Sequence, residues 1–233
     1  AARALGVDPI ELRRKNFIAN ESFPYDTATG VTYDVGDFNK VLDTVIEKCE
    51  LDSFADRRAQ SEKRGKLRGL GLCCYIESIL GDPTETSRIC FNENGSVDLY
   101  VGTQSNGQGH ETVYAQYLAD QLGIPFNLIN VIQGDSDKIP TGGGTGGSRS
   151  TTVQNSATLA LVGTTIERYS RFLALENGVG TASVSFDDEV FRINGSNVVF
   201  SIMDASNLAR LKGELDLLDI SQTATLDDLS FPN

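Results

Sequence analysis

The sequence predicts an α+β fold in which mixed β-sheets are flanked by helices, with glycine loops placed at helix N-termini. Three observations carry this. Up to about Arg64 the segments have helical caps and helical spacing. From Lys66 onward the pattern changes to strand-like runs broken by turn residues. Between Ser96 and Leu175 the order strand, glycine-rich loop, helix occurs twice.

The elements follow in chain order. Asp8-Pro9-Ile10-Glu11 reads as a helix start, with Asp as N-cap, Pro at the first helical position and an acid in the first turn. That helix is expected to reach about Asn16. Residues 20 to 36 are turn-rich and read as an irregular connection. Asp37 caps a second helix, with Val41, Leu42, Val45 and Ile46 on one face. A third, highly charged helix is expected from about Ser53 to Arg64, ended by Gly65. Its Arg57-Arg58 and Lys63-Arg64 pairs are flanked by acids and read as a solvated helix face rather than a basic patch.

Leu67 to Leu80 is apolar and long enough for one extended strand. Thr86 to Phe91 and Ser96 to Val101 flank Asn92-Glu93-Asn94-Gly95, a strong hairpin signal. The loop Gly102 to Gly109 (GTQSNGQG) follows, then a helix from about His110 or Glu111 to Leu122, closed by Gly123 and Pro125. A strand at Asn127 to Gln133 leads to the loop Thr141 to Ser150 (TGGGTGGSRS). A long helix rich in small residues then runs to about Leu175 and is expected to pack closely on a neighbour. Short strands are expected at 182 to 186, 190 to 193 and 197 to 201, with a helix near Ala205 to Leu211. The tail from Glu214 to Asn233 carries no decisive pattern.

Composition excludes several classes. The chain of 233 residues is long enough to bury a sizeable core. Its formal net charge of −12 argues against a nucleic-acid binder, which needs a basic surface, and against adhesion to an anionic membrane. No apolar run approaches the ~20 residues that cross a bilayer, and no signal peptide is visible. The four cysteines, Cys49, Cys73, Cys74 and Cys90, make no Cys-x-x-Cys pair, and there is one histidine. That set does not suit a zinc or iron–sulfur site held by this chain. Cys73 and Cys74 sit in the apolar run Leu70 to Ile76 and are expected as buried, reduced thiols. The chain starts at Ala1 and stops after Phe231-Pro232-Asn233, and reads as an internal piece of a longer polypeptide.

The two loops carry the chemistry. Glycine turns backbone N–H groups towards a ligand and removes the Cβ that would block its approach. A helix N-terminus adds unpaired N–H groups and partial positive charge, which favours an anion. Two such ends side by side would grip a large polar anion; the alternative is that one or both loops are ordinary surface connections. Gly142-x-Gly144-x-x-Gly147 matches the dinucleotide-binding string, but a long connection separates it from its strand. No acid-ended strand follows either, so the Rossmann reading fails. A P-loop needs Lys-Ser or Lys-Thr after its last glycine, where this chain has Ser148-Arg149.

The run Gly102 to Thr112 (GTQSNGQGHET), with Gln116, Ala119, Leu122, Gly123, Ile124 and Pro125, resembles the large subunit of the xanthine dehydrogenase family. That family includes aldehyde oxidoreductases and molybdenum carbon monoxide dehydrogenases. Gly134-Asp135, Pro140 and Gly144 to Ser150 resemble it too, at the matching distance. So do Ala2, Leu5 to Pro9, Leu12 to Ile18 and Phe23 to Tyr25. The resemblance covers residues 1 to about 170. It implies that the fold is of the molybdenum-cofactor-binding type. Residues 1–64 would be the helical end of a first lobe and 65–233 the start of a second, truncated one.

The resemblance also implies molybdopterin as the ligand, expected in its cytosine dinucleotide form. The expected cofactor-binding residues are Asn106, Gly107, Gln108, Gly109 and His110 in the first loop, and Gly146, Gly147, Ser148, Arg149 and Ser150 in the second. Gln108 offers an amide edge to a metal oxo group or a pterin. Gly107 and Gly109 permit close approach on either side. Gly147 matches the family position whose backbone lies close to the molybdenum. Ser148 and Ser150 supply hydroxyls at a helix start, and Arg149 could fork onto a phosphate. His110 either orients the ligand or is a helix-capping or surface residue. Gln104, Asn106 and Thr145 either reach the ligand or serve local turns. Gln108 and Gly147 are expected to face one common cleft.

The family reaction is hydroxylation at a carbon, here of an aldehyde, an N-heterocycle or carbon monoxide. Electrons leave through iron–sulfur clusters and FAD on partner subunits or domains. The family's glutamate base lies in a Gly-Glu motif near the C-terminus of the full subunit, to which no residue here is matched, so no catalytic residue and no protein metal ligand is assigned. The chain by itself is expected to be catalytically silent. Expected partners are a small-molecule substrate, the iron–sulfur and flavin subunits and the remainder of its own subunit, in the cytoplasm. Two other classes stay open: a non-catalytic anion- or nucleotide-binding module, and a structural subunit whose loops serve assembly.

Overall fold

Asp8 does what its sequence position demands: its Oδ1 accepts hydrogen bonds from the N–H groups of Ile10 (2.7 Å) and Glu11 (3.0 Å), satisfying donors that a helix start leaves open. In the computed structural model, which describes residues 1–226, the helices are α1 (Ala2–Leu5), α2 (Pro9–Arg14), α3 (Phe38–Lys48), α4 (Phe54–Glu62), α5 (His110–Leu122), α6 (Asn155–Glu176) and α7 (Ile202–Lys212). The strands are β1 (Tyr25–Asp26), β2 (Thr32–Tyr33), β3 (Thr84–Phe91), β4 (Val97–Val101), β5 (Ile129–Ile132), β6 (Val184–Asp187), β7 (Val190–Ile193), β8 (Val199–Ser201) and β9 (Asp219–Thr225). The chain divides into two compact units, the break falling between Glu77 and Ser78.

The first unit holds α1 to α4 and the two-stranded β1–β2 ribbon. Asp37 caps α3 through the Lys40 N–H (3.0 Å), and Phe38 packs edge-on against Phe17 and Phe23. Of the apolar face expected on α3, only Leu42 is buried. Val41 and Val45 are exposed and line an open groove with Phe17, Leu72 and Tyr75. The strand expected over Leu67 to Leu80 does not form. An extended run becomes a strand only when a neighbour takes its backbone hydrogen bonds, and among the described residues the sheet of this unit pairs β1 with β2 alone. Leu67 is 96 % exposed and Tyr75 80 %. Cys73 and Cys74 are therefore exposed rather than buried.

The second unit is built on a mixed four-stranded sheet in the order β5-β4-β3-β9. β3 and β4 form the hairpin read from Asn-Gly, with Phe91 opposite Val97 and Gly95 at positive φ. β4 and β5 are parallel and joined by α5, and β9 is antiparallel to β3. α6 packs on β3 and β9 through Ala157, Thr158, Leu161, Thr165 and Tyr169, so its small residues do serve close packing. A second, three-stranded antiparallel sheet, β6-β7-β8, leads into α7. Ser201 and Asp204 close that helix start as a capping box. The core joins Ile89, Leu99, Leu118, Leu161, Tyr169, Phe191 and Ile202, all fully enclosed. β9 lies in the tail left unassigned above; residues 227–233 of that tail lie outside the described residues.

Candidate cofactor-binding site

β4 and β5 run parallel and so end at the same edge of the sheet; β4 passes directly into the first glycine loop, and β5 leads to the second through residues 133–140. The loops lie side by side. The Gln104 N–H donates to Thr145 Oγ1 (2.9 Å), and that hydroxyl donates back to the Gln104 carbonyl (2.6 Å). Gly102 and Gly142 touch backbone to backbone. A Cβ on Gly142 would stand 2.4 Å from the Gly102 oxygen, and one on Gly102 would stand 2.8 Å from the Gly142 Cα. Between the loops opens a cleft of about 470 Å³, lined by Gly102, Gln104 and Asn106 on one side and by Asp135, Thr141, Gly142, Gly144 and Thr145 on the other.

Of the ten expected site residues, Asn106 alone lines the cleft. Its N–H donates to Gln108 Oε1 (2.6 Å), so the Gln108 amide folds over its own loop. Gln108 is exposed and Gly147 lies against the Leu80 carbonyl; neither lines the cleft. Gly107 (φ 109°) and Gly109 (φ 78°) need glycine for their backbone shape. Gly146 does not: its φ is unexceptional, and a Cβ there would meet nothing within 4 Å. Ser148 stands at φ 56°. Ser150 begins a π-helical turn, Ser150–Gln154, that precedes α6. Such turns recur at functional sites.

Arg149 is corrected by the structure. Its side chain is 2 % exposed, and its guanidinium is used inside the protein. Nη1 donates to Glu85 Oε1 (2.5 Å) and the Gly144 carbonyl (2.7 Å), Nε to the Asp82 carbonyl (2.9 Å), and Nη2 to the Thr84 carbonyl (2.9 Å). Four of its five N–H donors are thereby engaged, so no fork is left to hold a phosphate. His110 is neither a surface residue nor a cap. It is buried at the first position of α5, its ring 4.9 Å from that of Tyr114, and Nδ1 is enclosed without a hydrogen-bond partner. Burial pushes its pKa down, Glu111 and Gln133 acting the other way, which favours the neutral imidazole.

Sequence reasoning missed a buried polar chain beneath the loops. Gln154 is fully enclosed: its Oε1 accepts from the Gly102 N–H (3.0 Å), and its Nε2 donates to the Thr86 carbonyl (3.2 Å) and Ser87 Oγ (2.8 Å). The Tyr114 hydroxyl joins Thr103 Oγ1 (2.8 Å) and donates to the Ser150 carbonyl (3.1 Å). One signal was available: residues 85, 87, 89 and 91 share a strand face, so the face that buries Ile89 and Phe91 also buries Glu85 and Ser87. Replacing Gln154 by leucine strands the Gly102 N–H and is expected to cost about 2 kcal/mol. Urea unfolding would read this, and an unchanged midpoint would remove Gln154 from the support of the loop.

Residues 44–225 match the model of the molybdopterin cofactor-binding domain. The chain belongs to the molybdopterin cofactor-binding domain family. Its second unit, with the two loops, lies almost wholly inside the matched span. The chain is 33 % identical over 219 residues to the carbon monoxide dehydrogenase large chain of Hydrogenophaga pseudoflava, a match that covers 87 % of this chain and 27 % of that one. Against the nicotine 6-hydroxylase large subunit of Paenarthrobacter nicotinovorans it is 37 % identical over 165 residues, 65 % of this chain and 20 % of that one. Among solved structures, the carbon monoxide dehydrogenase of Oligotropha carboxidovorans superposes with a TM-score of 0.70 at 27 % identity, over 99 % of this chain and 31 % of that one. The chain thus spans under a third of the length of these relatives.

The cleft is open and lined by glycine and polar side chains alongside Val101, Ile139 and Pro140, which fits a flat ligand with polar edges that approaches the backbone. Gly146 lies outside this lining and carries no internal demand for glycine.

Proposed function

We propose that this chain forms part of the catalytic subunit of a molybdenum hydroxylase and holds molybdopterin, in its cytosine dinucleotide form, between its two glycine loops. The observation that carries the reading is the pairing of the loops over one cleft, with Gly146 free of any internal demand for glycine. Asn106 would hold the part of the ligand that lies in the cleft. Gly107, Gln108, Gly109, His110, Gly146, Gly147, Ser148, Ser150 and the backbone of Arg149 would hold the parts that extend beyond its lining. Residues 1–64 would close a first cofactor-binding lobe, and 65 onward would open a second. When bound, the cofactor supplies the redox chemistry of carbon hydroxylation.

The share of this chain is to bind and orient. Most N–H groups of the first loop are taken within the protein, so the uncapped N-terminal end of α5 would supply the favourable field for an anion, with His110 buried and neutral at its first position. Relatives acting on carbon monoxide and on nicotine support a small carbon substrate. Iron–sulfur and flavin partners in the cytoplasm would take the electrons.

The test is cofactor content. In the purified full-length subunit, Gln108→Ala should lower pterin and molybdenum per protein several-fold. Thermal stability should stay unchanged, because the side chain is exposed. Full cofactor content in that variant would remove Gln108 from the site, and pterin-free wild-type protein from cofactor-producing cells would sink the reading itself.

A further inference from the structure

The geometry points to Glu85 and Arg149 as a buried clasp that sets the second glycine loop against the first, and so as a positioning pair for the ligand. Both side chains are within 2 % of full burial. A buried ion pair is costly to form, yet this one takes hold of the loops at several backbone points. Arg149 reaches back to the carbonyls of Asp82 and Thr84 at the start of β3 and forward to the Gly144 carbonyl. Glu85 Oε1 accepts from Arg149 and from the Gly143 N–H (2.8 Å).

The loops are moulded to this pair. A Cβ on Gly143 would stand 2.5 to 2.6 Å from three guanidinium atoms, and a Cβ on Gly102 would stand 2.3 Å from Glu85 Oε2. Glu85 Oε2 is itself buried and without a hydrogen-bond partner, held where it meets the first loop. One carboxylate therefore touches both loops, and one guanidinium ties the second loop to the sheet. The Arg149 side chain, read from sequence as a phosphate ligand, acts on the ligand through the loop it shapes.

The identity of the ligand rests on the cofactor reading above; the clasp itself does not. The experiment has two arms on the full-length subunit, with Arg149→Lys and the double variant Glu85→Leu/Arg149→Met. Lysine keeps the charge but cannot reproduce four directed hydrogen bonds. The double variant removes both charges together and so avoids an uncompensated buried charge, although it leaves the Gly143 N–H and three carbonyls without these partners and is expected to lower the melting temperature. In cofactor-free protein, amide exchange in residues 142–147 is expected to rise at least tenfold in both variants, while exchange in β4 stays near wild type. In the holoenzyme, pterin retention after dialysis should fall at least tenfold in both. A double variant that keeps loop protection and pterin overturns the clasp and leaves the pair a packing detail. Wild-type protein that retains no pterin defeats the cofactor reading instead, and the exchange arm then still decides the clasp.

Discussion

Gly142→Ala is expected to force the two glycine loops apart, at a cost of about 3 kcal/mol, the upper end of what overpacking does. The new Cβ would meet the oxygen, Cα and carbonyl carbon of Gly102 at 2.4, 2.7 and 2.9 Å. All three are backbone atoms, so no side chain can rotate away. The same change at Gly146 is the control. There the Cβ meets nothing within 4 Å and no positive φ is required, so alanine should leave stability unchanged, or raise it by a few tenths of a kcal/mol through the unfolded chain. Its effect should fall on the ligand alone. Denaturant unfolding and pterin content separate the two: Gly142→Ala loses both, Gly146→Ala loses pterin. A Gly146→Ala protein with full pterin would mean that nothing approaches the backbone there. A Gly142→Ala protein of wild-type stability would mean that the loops are not seated on one another.

Much of the second unit was legible because its signals are local. Asn94-Gly95 sets the β3–β4 turn, Gly123 closes α5 in the left-handed conformation, and Ser201 with Asp204 opens α7. The pairing of the loops followed from two strands that must each hand over to a helix. What failed depended on distant partners. Leu67 to Leu80 has the composition of a strand, but strand formation is decided by a neighbour, and among the described residues no strand pairs with it. β9 was illegible for the opposite reason: Asp-Ile-Ser-Gln-Thr-Ala-Thr is polar, and it is a strand because β3 offers a free edge and Ile220 enters the core.

The site shows the same division. Gly102 to Gly109 announces a loop by composition. The burial of Arg149 could not be read from the loop, because its partner Glu85 lies far back in the sequence. The strand expected from Thr86 stopped one residue short of that acid, so the inward-facing carboxylate that calls for a cation went unread.

Tyr169→Ala is expected to cost about 3 to 5 kcal/mol, the range for removing a large aromatic side chain from a core. Tyr169 is fully enclosed on α6, with Phe91 of β3 at 5.9 Å and Phe191 of β7 at 6.3 Å, so it links the four-stranded sheet to the three-stranded one. Its hydroxyl donates to the Leu217 carbonyl (2.7 Å). Tyr169→Phe keeps the ring and loses only that bond, at a cost of about 1 kcal/mol. The two variants also differ from wild type in alkali. Burial pushes the phenol well above its ordinary value of 10.0, Arg210 acting weakly against it. The unfolded chain releases this proton near pH 10 while the native state keeps it, so above pH 10 the native state binds more protons and stability falls as pH rises. Below pH 10 both states are protonated and the residue adds no slope. Tyr114 and Tyr117 are shifted in the same direction by burial, so some alkaline loss should remain in Tyr169→Phe. Its slope should nonetheless be shallower by up to about 1.4 kcal/mol per pH unit. Unfolding free energies measured between pH 8 and 11.5 decide this, and parallel curves for wild type and Tyr169→Phe would show that the phenol ionises without opening the core.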